Sequence, residues 1–353
     1  RGQDTLLNPW YKRLAGRYAM EDIAIDGKVL TKKAEIITIE VAKTVNNSTL
    51  DHVKIRSVLG CKTKYGACAK CYGTDLSADA PVKVGSAVGI VAAQSIGEPG
   101  TQLTMKTFHS GGIAAQNITQ GLPRIEELFE VRKPKSEGAI TMISGSVIVS
   151  EEEDYIKVVI EPTDKNEEPQ IVKLDATAEV LVKSGDLVVP GTRLTEGSLN
   201  LQDLYKTLGA RETQLYIVDE VQSVYGSQGV SIDDKHIEVI VRQMFNRVKV
   251  KTAGSTNLLP GDIVTTYKFD KENLKAAELG GEKAEAKPVL LGISKVSRMS
   301  ESWLDAASFE ETASVLTDSA ISGSIDELIG LKENVIIGRR IPVGEDARIA
   351  EAE

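Results

Sequence analysis

Aromatic residues are scarce in this chain, at 5% of 353 residues, and only three cysteines and three histidines occur. No run of about 18 apolar residues is present, which excludes a hydrophobic membrane-spanning helix. The opening RGQDTLLNPW has neither an initiator Met nor a charged-then-apolar leader. This predicts no secretory signal and suggests a piece of something longer. No repeat of fixed period is visible. What remains is 41% hydrophobic and 26% charged, an ordinary globular composition long enough for two or three domains with their own cores.

The formal net charge of -9 argues against a free-standing nucleic-acid binder. The charge is unevenly spread, however. Residues 1–136 hold 19 Lys and Arg against 13 Asp and Glu, and the remainder 23 against 38. A basic front and an acidic back can set a nucleic-acid surface beside a protein-contacting one, although solvated surface gives the same pattern.

Along the chain, AEIITIEVAKTVNNS (34–48) reads as a helix ending at its Asn pair, with its β-branched content leaving a strand open. VKIRSVL (53–59) alternates and predicts a strand. VGSAVGIVAAQSIG (84–97) is apolar nearly all round and predicts a buried helix ended by Gly97, Pro99 and Gly100. From about Gly138, short β-rich runs punctuated by Gly, Pro and Asp suggest a barrel or sandwich. QLYIVDEVQSVY and HIEVIVRQM are ambiguous between strand and helix. ENLKAAELGGEKAEAKP (272–288) predicts a short helix plus linker. SFEETASVLTDSAI predicts a helix, and ENVIIG reads as strand-like.

All three cysteines fall in CKTKYGACAKCYG: Cys61, Cys68 and Cys71. The C-x2-C lets two thiolates reach one ion from a tight turn, with Cys61 seven residues earlier and Gly66 and Gly73 permitting close bends. Structural zinc wants four N or S ligands in a tetrahedron, so the set is one short. His52 or a cysteine upstream could complete it. A redox pair at Cys68 and Cys71 is the rival reading, but it has no use for Cys61. Unliganded thiols are the third.

GEPGTQLTMKTFHSGG (97–112) carries Gln102, Met105, Lys106 and His109 at i, i+3, i+4 and i+7, so on a helix all four share one side. Glycines bracket the segment, as suits a rod that folds and unfolds as a unit. Downstream, Pro123 suits a first helical turn, followed by Ile125, Leu128 and Phe129 on one side with Leu122. Two helices joined by about ten residues would form a mobile hairpin. On the polar face, Met105 can lie against a planar base, Lys106 can meet a phosphate, and Gln102 can reach a ribose hydroxyl. His109 can donate to a phosphate oxygen or pass a proton to a leaving group. A merely solvated face is the alternative.

GIVAAQSIGEPGTQLTMKTFHSGG followed by ITQGLPRIEELFE resembles the trigger loop of the largest subunit, β′, of bacterial multisubunit DNA-directed RNA polymerases. RSVLGCKTKYGACAKCYG resembles that subunit's second zinc site. VQSVYGSQGVSIDDKHIEVIVRQM and SFEETASVLTDSAISGSIDELIGLKENVIIGR resemble its C-terminal third. The resemblance implies nucleotidyl transfer, with Gln102 near the incoming ribose, Met105 on its base, and Lys106 and His109 at the triphosphate as the catalytic pair. It implies a zinc site of four cysteines, the first upstream of the three present, which disfavours His52. The family usually has arginine at Lys106 and at Ser314. Lysine keeps the charge but loses the forked donor geometry.

The family's three magnesium-binding aspartates lie in a D-F-D-G-D motif, which does not occur in these 353 residues; Mg²⁺ would be held outside this chain, and the chain would not polymerise RNA alone. The implied partners are the α, β and ω subunits, a sigma factor, the N-terminal part of β′, template DNA, transcript RNA and nucleoside triphosphates, with no membrane. The implied location is the bacterial cytoplasm at the nucleoid, or a plastid for a split organellar gene.

The expected fold is α+β and multidomain. It places a zinc-site segment at 1–85, a buried helix with the trigger-loop hairpin at 86–136, β-rich jaw and barrel-like modules at 137–290, and a C-terminal clamp-base segment at 291–353. KSGDLVVPGTRL alone is like a lipoyl- or biotinyl-carrier half-barrel, but it lacks the neighbours of a modified lysine and reads as a structural turn. The competing function is a non-enzymatic zinc-knuckle binding module. That module would have no use for His109 seven residues after Gln102 between glycine hinges.

Overall fold

The computed structural model describes residues 9–107, 113–152, 154–163 and 168–344, without the side chains of 103–107 and 113–120. The chain divides into two compact units, one of residues 1–122 with 218–353 and one of 123–217. They cut across the expected four segments, since 218–290 falls in the first unit and 137–217 in the second.

The first unit opens with α1 (Trp10–Leu14) and the hairpin β1 (Ile23–Ile25) and β2 (Lys28–Thr31). Asp26 and Gly27 turn this hairpin with φ of 50° and 79°, the left-handed pair that matches strand twist. Then comes α2 (Ile39–Asn46), capped by the Thr38 hydroxyl at Val41 N and ending at Asn47. The helical reading of 34–48 therefore holds for its second half. Leu14, Ile23, Ile37, Ala42 and Val45 close a small core. The expected strand at 53–59 is reduced to a single bridge, Ala19 with Ile55. Arg56 N donates to Tyr18 O within that bridge, but beyond it Val58 N is drawn away to the Glu238 carboxylate.

After α3 (Ala69–Tyr72), β3 (Thr74–Asp75) and β4 (Ala80–Pro81), helix α4 runs from Val88 to Thr107. It passes through Gly97, Pro99 and Gly100 without ending, which corrects the expected stop. A proline removes one backbone donor and crowds the preceding turn; here the buried Tyr225 donates its hydroxyl to Ile96 O at 2.7 Å beside that turn. Nor is 84–97 buried. Ala92 is covered, but Ile90 and Val91 are each 45% exposed. Helix α5 (Ile113–Glu130) starts ten residues before Pro123 and contains it, so the expected ten-residue connection is largely helical.

In the second unit, β5 (Glu137–Gly138) precedes β6 (Gly145–Glu151), β7 (Tyr155–Pro162), β8 (Gln170–Asp175), β9 (Leu187–Val188) and β10 (Ser198–Leu199). Four of these form an antiparallel sheet in the order β8-β7-β6-β9. Val147, Val158, Ile160, Leu174 and Val188 project from alternating positions into one core with Leu194, as period-two patterning requires. The β-rich reading of this stretch is borne out. KSGDLVVPGTRL contains a turn and β9.

Helix α6 (Leu201–Ser227) is broken at Gly209, whose φ of 81° interrupts the spiral before it resumes. Helix α7 (Asp234–Met244) follows; both ambiguous segments are thus helical. A three-stranded antiparallel sheet, β12-β11-β13, is built from β11 (Arg247–Thr252), β12 (Ile263–Thr265) and β13 (Glu285–Val289), with α8 (Thr266–Glu278) between the last two. The expected linker after α8 is in part β13. Helices α9 (Ile293–Arg298), α10 (Trp303–Ala307), α11 (Thr312–Ser322) and α12 (Leu331–Ile336) complete the chain. ENVIIG is therefore helical rather than strand-like, started by Glu333, whose carboxylate accepts from Gly330 N at 2.6 Å. Ser314 lies exposed on α11. No described helix is long and apolar enough to cross a membrane.

One ion pair ties the first unit together across the sequence. Arg17 meets Glu238 of α7 through two bonds of 2.8 and 3.0 Å, and both residues are buried. The same carboxylate accepts from Val58 N at 3.2 Å. Removing one partner of such a pair leaves an uncompensated buried charge, at a cost of about 3–5 kcal/mol. Glu238→Ala is expected to lower the stability of the chain by that order in urea unfolding. Replacing Arg17 and Glu238 together by Met and Leu is expected to cost much less than either single removal.

Candidate metal centre

The cysteine segment folds as a knuckle. Cys61 follows a turn closed by its own N–H on Val58 O at 3.0 Å. Cys68 is the N-cap of α3, its sulfur accepting from Cys71 N at 3.3 Å. Gly66 and Gly73 take φ of 58° and 84°, the left-handed values that such bends need. At Gly73 the requirement is also steric, because a Cβ there would collide with the carbonyl oxygen of Gly16.

The three Sγ atoms lie within 4.8 Å of one another. Thiolates at about 2.3 Å from a tetrahedral ion would stand roughly 3.8 Å apart, so the spread suits one shared ion. The surroundings suit thiolates as well. Cys61 Sγ accepts from Cys68 N at 3.3 Å and lies 3.2 Å from the Thr63 hydroxyl. Arg56 Nη2 donates to Cys71 Sγ at 3.3 Å and Cys68 Sγ at 3.6 Å. Burial opposes ionisation of Cys61, but the Cys68 amide and Thr63 overcome it and bring its pKa down to about 6. Burial and the Cys68 thiol push Cys71 up to about 11, against the pull of Arg56. The first thiolate thus centres on Cys61 and hinders a second, until a cation neutralises the group. Convergence of Cys61 with the other two favours a metal over a redox pair. Among the described residues, no fourth His, Cys, Asp or Glu joins the cluster; His52 is exposed and outside it.

Helix α7 holds this knuckle from behind. Arg242 donates to Thr63 O at 2.8 Å and to Gly66 O, pinning the loop between Cys61 and Cys68. Lys235 is fully buried and donates to Thr74 O at 2.7 Å, with its ammonium 5.2 Å from the Tyr72 ring centroid. Asp234 accepts from Arg13 at 2.7 Å. Positions 234, 238 and 242 recur at helical spacing, so one face delivers all three. The apolar residues of HIEVIVRQM leave strand and helix open, and the face is marked by the charges of α7 rather than by them. Its charges at i, i+4 and i+8, counted from Asp234, were the available signal.

The polar face of 97–112 is only partly visible. Gln102, exposed on α4, donates to Glu98 one turn earlier. Met105 and Lys106 lie in the helical backbone of α4, but their side chains are outside the described residues, as is His109 entirely.

Residues 18–301 match the family model described as RNA polymerase Rpb1, domain 5. The chain belongs to that family. It is 53% identical over 335 residues to the DNA-directed RNA polymerase subunit beta' of Caldicellulosiruptor saccharolyticus, covering 94% of this chain and 28% of the relative. It is likewise 53% identical to the subunit of Natranaerobius thermophilus, over 94% of this chain and 27% of that one. Against the subunit of Alkaliphilus oremlandii the figure is 51%, over 95% and 28%. The chain thus spans little more than a quarter of the length of these relatives, and within the family it carries a three-cysteine metal candidate braced by α7.

Metal capture here must displace the Cys71 proton, so affinity is expected to rise with pH across the interval between the low Cys61 and high Cys71 values. Titration with Zn²⁺ as the probe should show proton release and tighter binding at about pH 8.5 than at about pH 6.5. Cys71→Ser should weaken binding by at least about tenfold. A flat pH response would place the ion elsewhere.

Proposed function

We propose that this chain is the C-terminal portion of the β′ subunit of a bacterial DNA-directed RNA polymerase, and that residues 97–112 belong to its trigger loop. What carries the reading is the match of at least half its residues to β′ subunits over nearly its whole length. In support, α4 is regular through residues 102, 105 and 106, the helical spacing that sets an amide, a thioether and a cation on one side.

In this reading the helix folds over a matched nucleoside triphosphate in the assembled enzyme. Gln102 approaches the ribose, Met105 packs on the base, Lys106 faces the phosphates, and His109 donates to the phosphate oxygens as pyrophosphate departs. The RNA 3′-hydroxyl attacks the α-phosphorus. Closing the helix positions the triphosphate and adds positive charge where negative charge gathers, the two contributions that dominate phosphoryl transfer. Coupling closure to a correct nucleotide makes selection part of catalysis. Mg²⁺, bound when the enzyme is whole, supplies charge neutralisation at the phosphates. Its aspartate motif is absent from these residues, so the chain acts only within the complex.

The three cysteines hold a structural Zn²⁺ with a fourth cysteine from elsewhere in β′. The β-rich unit and the β11–β13 sheet correspond to the jaw and neighbouring modules. The other subunits, a sigma factor, template DNA and transcript are the partners, in the bacterial cytoplasm.

In a reconstituted polymerase, His109→Ala and Lys106→Ala are each expected to slow single-nucleotide addition, by about tenfold or more given what positioned acids contribute. Rapid-quench measurement of the addition rate checks this. Unchanged rates for both would remove the nucleotide-facing role.

A further inference from the structure

Beside the knuckle lies a cavity of about 190 Å³ whose lining includes Lys64, Tyr65, Arg242, Arg247, Tyr267 and Glu301. Its walls come from the loop between Cys61 and Cys68, the passage from α7 into β11, the start of α8, and the turn before α10. Three cations face one carboxylate. None of the three makes an ion pair among the described residues, while Glu301 accepts from the Thr265 hydroxyl.

Each cation is fixed without a close ion pair among the described residues, Glu301 acting on Arg247 only at longer range. Lys64 is held between two phenol rings, 4.5 Å from the Tyr65 centroid and 4.3 Å from that of Tyr267. The quadrupoles of the rings orient an ammonium but cancel none of its charge at a distance. Arg242 spends its donors on the neutral carbonyls of Thr63 and Gly66. Arg247 is only 6% exposed, yet its contacts are long, 3.4 Å to Asn246 O and 3.3 Å to Met299 O. Its buried Nε has no hydrogen-bond partner. A buried guanidinium so poorly satisfied is costly unless something completes its shell.

The same sign of charge continues out of the cavity. Lys249 lies two residues beyond Arg247 on the same face of β11, and its register partner on β13 is Lys287. Both are exposed, with no ion pair among the described residues. Like charges directly opposite each other destabilise a sheet, so this face is built to have its charge met from outside. Against an anion stands the end of α7 at Met244, whose carbonyl dipoles repel a negative charge. Three cations at close range outweigh that.

We infer that this cavity is a binding site for a phosphate group. Guanidinium and ammonium donors are the groups that pair with phosphate oxygens, and the cavity has room for one such group. The group can come from a free or terminal phosphate or from a nucleic-acid backbone. Glu301 separates the two: a terminal phosphate that keeps a proton can donate it to the carboxylate, whereas a phosphodiester has none to give. The inference rests on these residues alone and is independent of the role proposed for residues 97–112.

The test is calorimetric titration of the zinc-supplemented 353-residue chain with inorganic phosphate, alongside anisotropy of a short labelled DNA duplex. Saturable phosphate binding is expected, weakened at least tenfold by Lys64→Gln and by Arg247→Gln, with circular dichroism confirming that each variant folds. If only the duplex binds, and the same substitutions weaken it tenfold, the backbone is the source. Should Arg247→Gln unfold, Lys64→Gln decides, because Lys64 is exposed and outside any core. No saturable binding of either probe, or binding indifferent to these substitutions, overturns the inference.

Discussion

The buried pair of Arg17 and Glu238 joins residues that stand 221 positions apart in sequence, and Val58 N on the same carboxylate adds a second long-range tie. Two charges taken out of water are tolerated only when their geometry is good and their remaining lone pairs are used. Both conditions are met here. The consequence is that the N-terminal segment has one position on α7, and the knuckle that follows Val58 inherits it. Loss of one partner therefore acts on more than the pair, because it frees the strand of chain that delivers Cys61.

The uneven charge of the sequence is partly explained by this contact. Arg13 and Arg17 of the basic front meet Asp219, Asp234 and Glu238 of the acidic back. Two cations of the front and three carboxylates of the back thus meet inside one compact unit. Lys64, Arg242 and Arg247, which make no ion pair among the described residues, lie around the cavity at the end of α7. Arg242 has two roles there, since it pins the knuckle loop with its donors while making no ion pair among the described residues. Stability and anion affinity are coupled there through a single side chain.

In this chain of the RNA polymerase Rpb1 domain 5 family, the knuckle and α4 both rest on α7. A metal candidate on a short knuckle is a weak device alone, because few apolar residues surround it: Val58, Tyr72 and Val82 are its buried core. Helix α7 supplies the missing rigidity through charged contacts. Helix α4, which lies against α7, keeps apolar residues such as Ile90 and Val91 nearly half exposed. The knuckle and α4 thus share one support.

The sequence by itself determined the cysteine knuckle, with Gly66 and Gly73 at its bends, because ligand spacing and left-handed turns are local properties. It determined the β-rich unit through alternation, and α11 through helical periodicity. It misjudged 53–59, since Val58 N goes to a carboxylate 180 residues away rather than to a neighbouring strand. It stopped α4 at Gly97 and Pro99, because local breaker signals weigh propensity without the support a helix gains from packing. It read α7 as an apolar segment and missed the charged face that braces the knuckle. That face and the buried Arg247 gain meaning only from groups far along the chain. Burial and long-range charge pairing are decided by the whole fold, and only the tertiary structure could assign them.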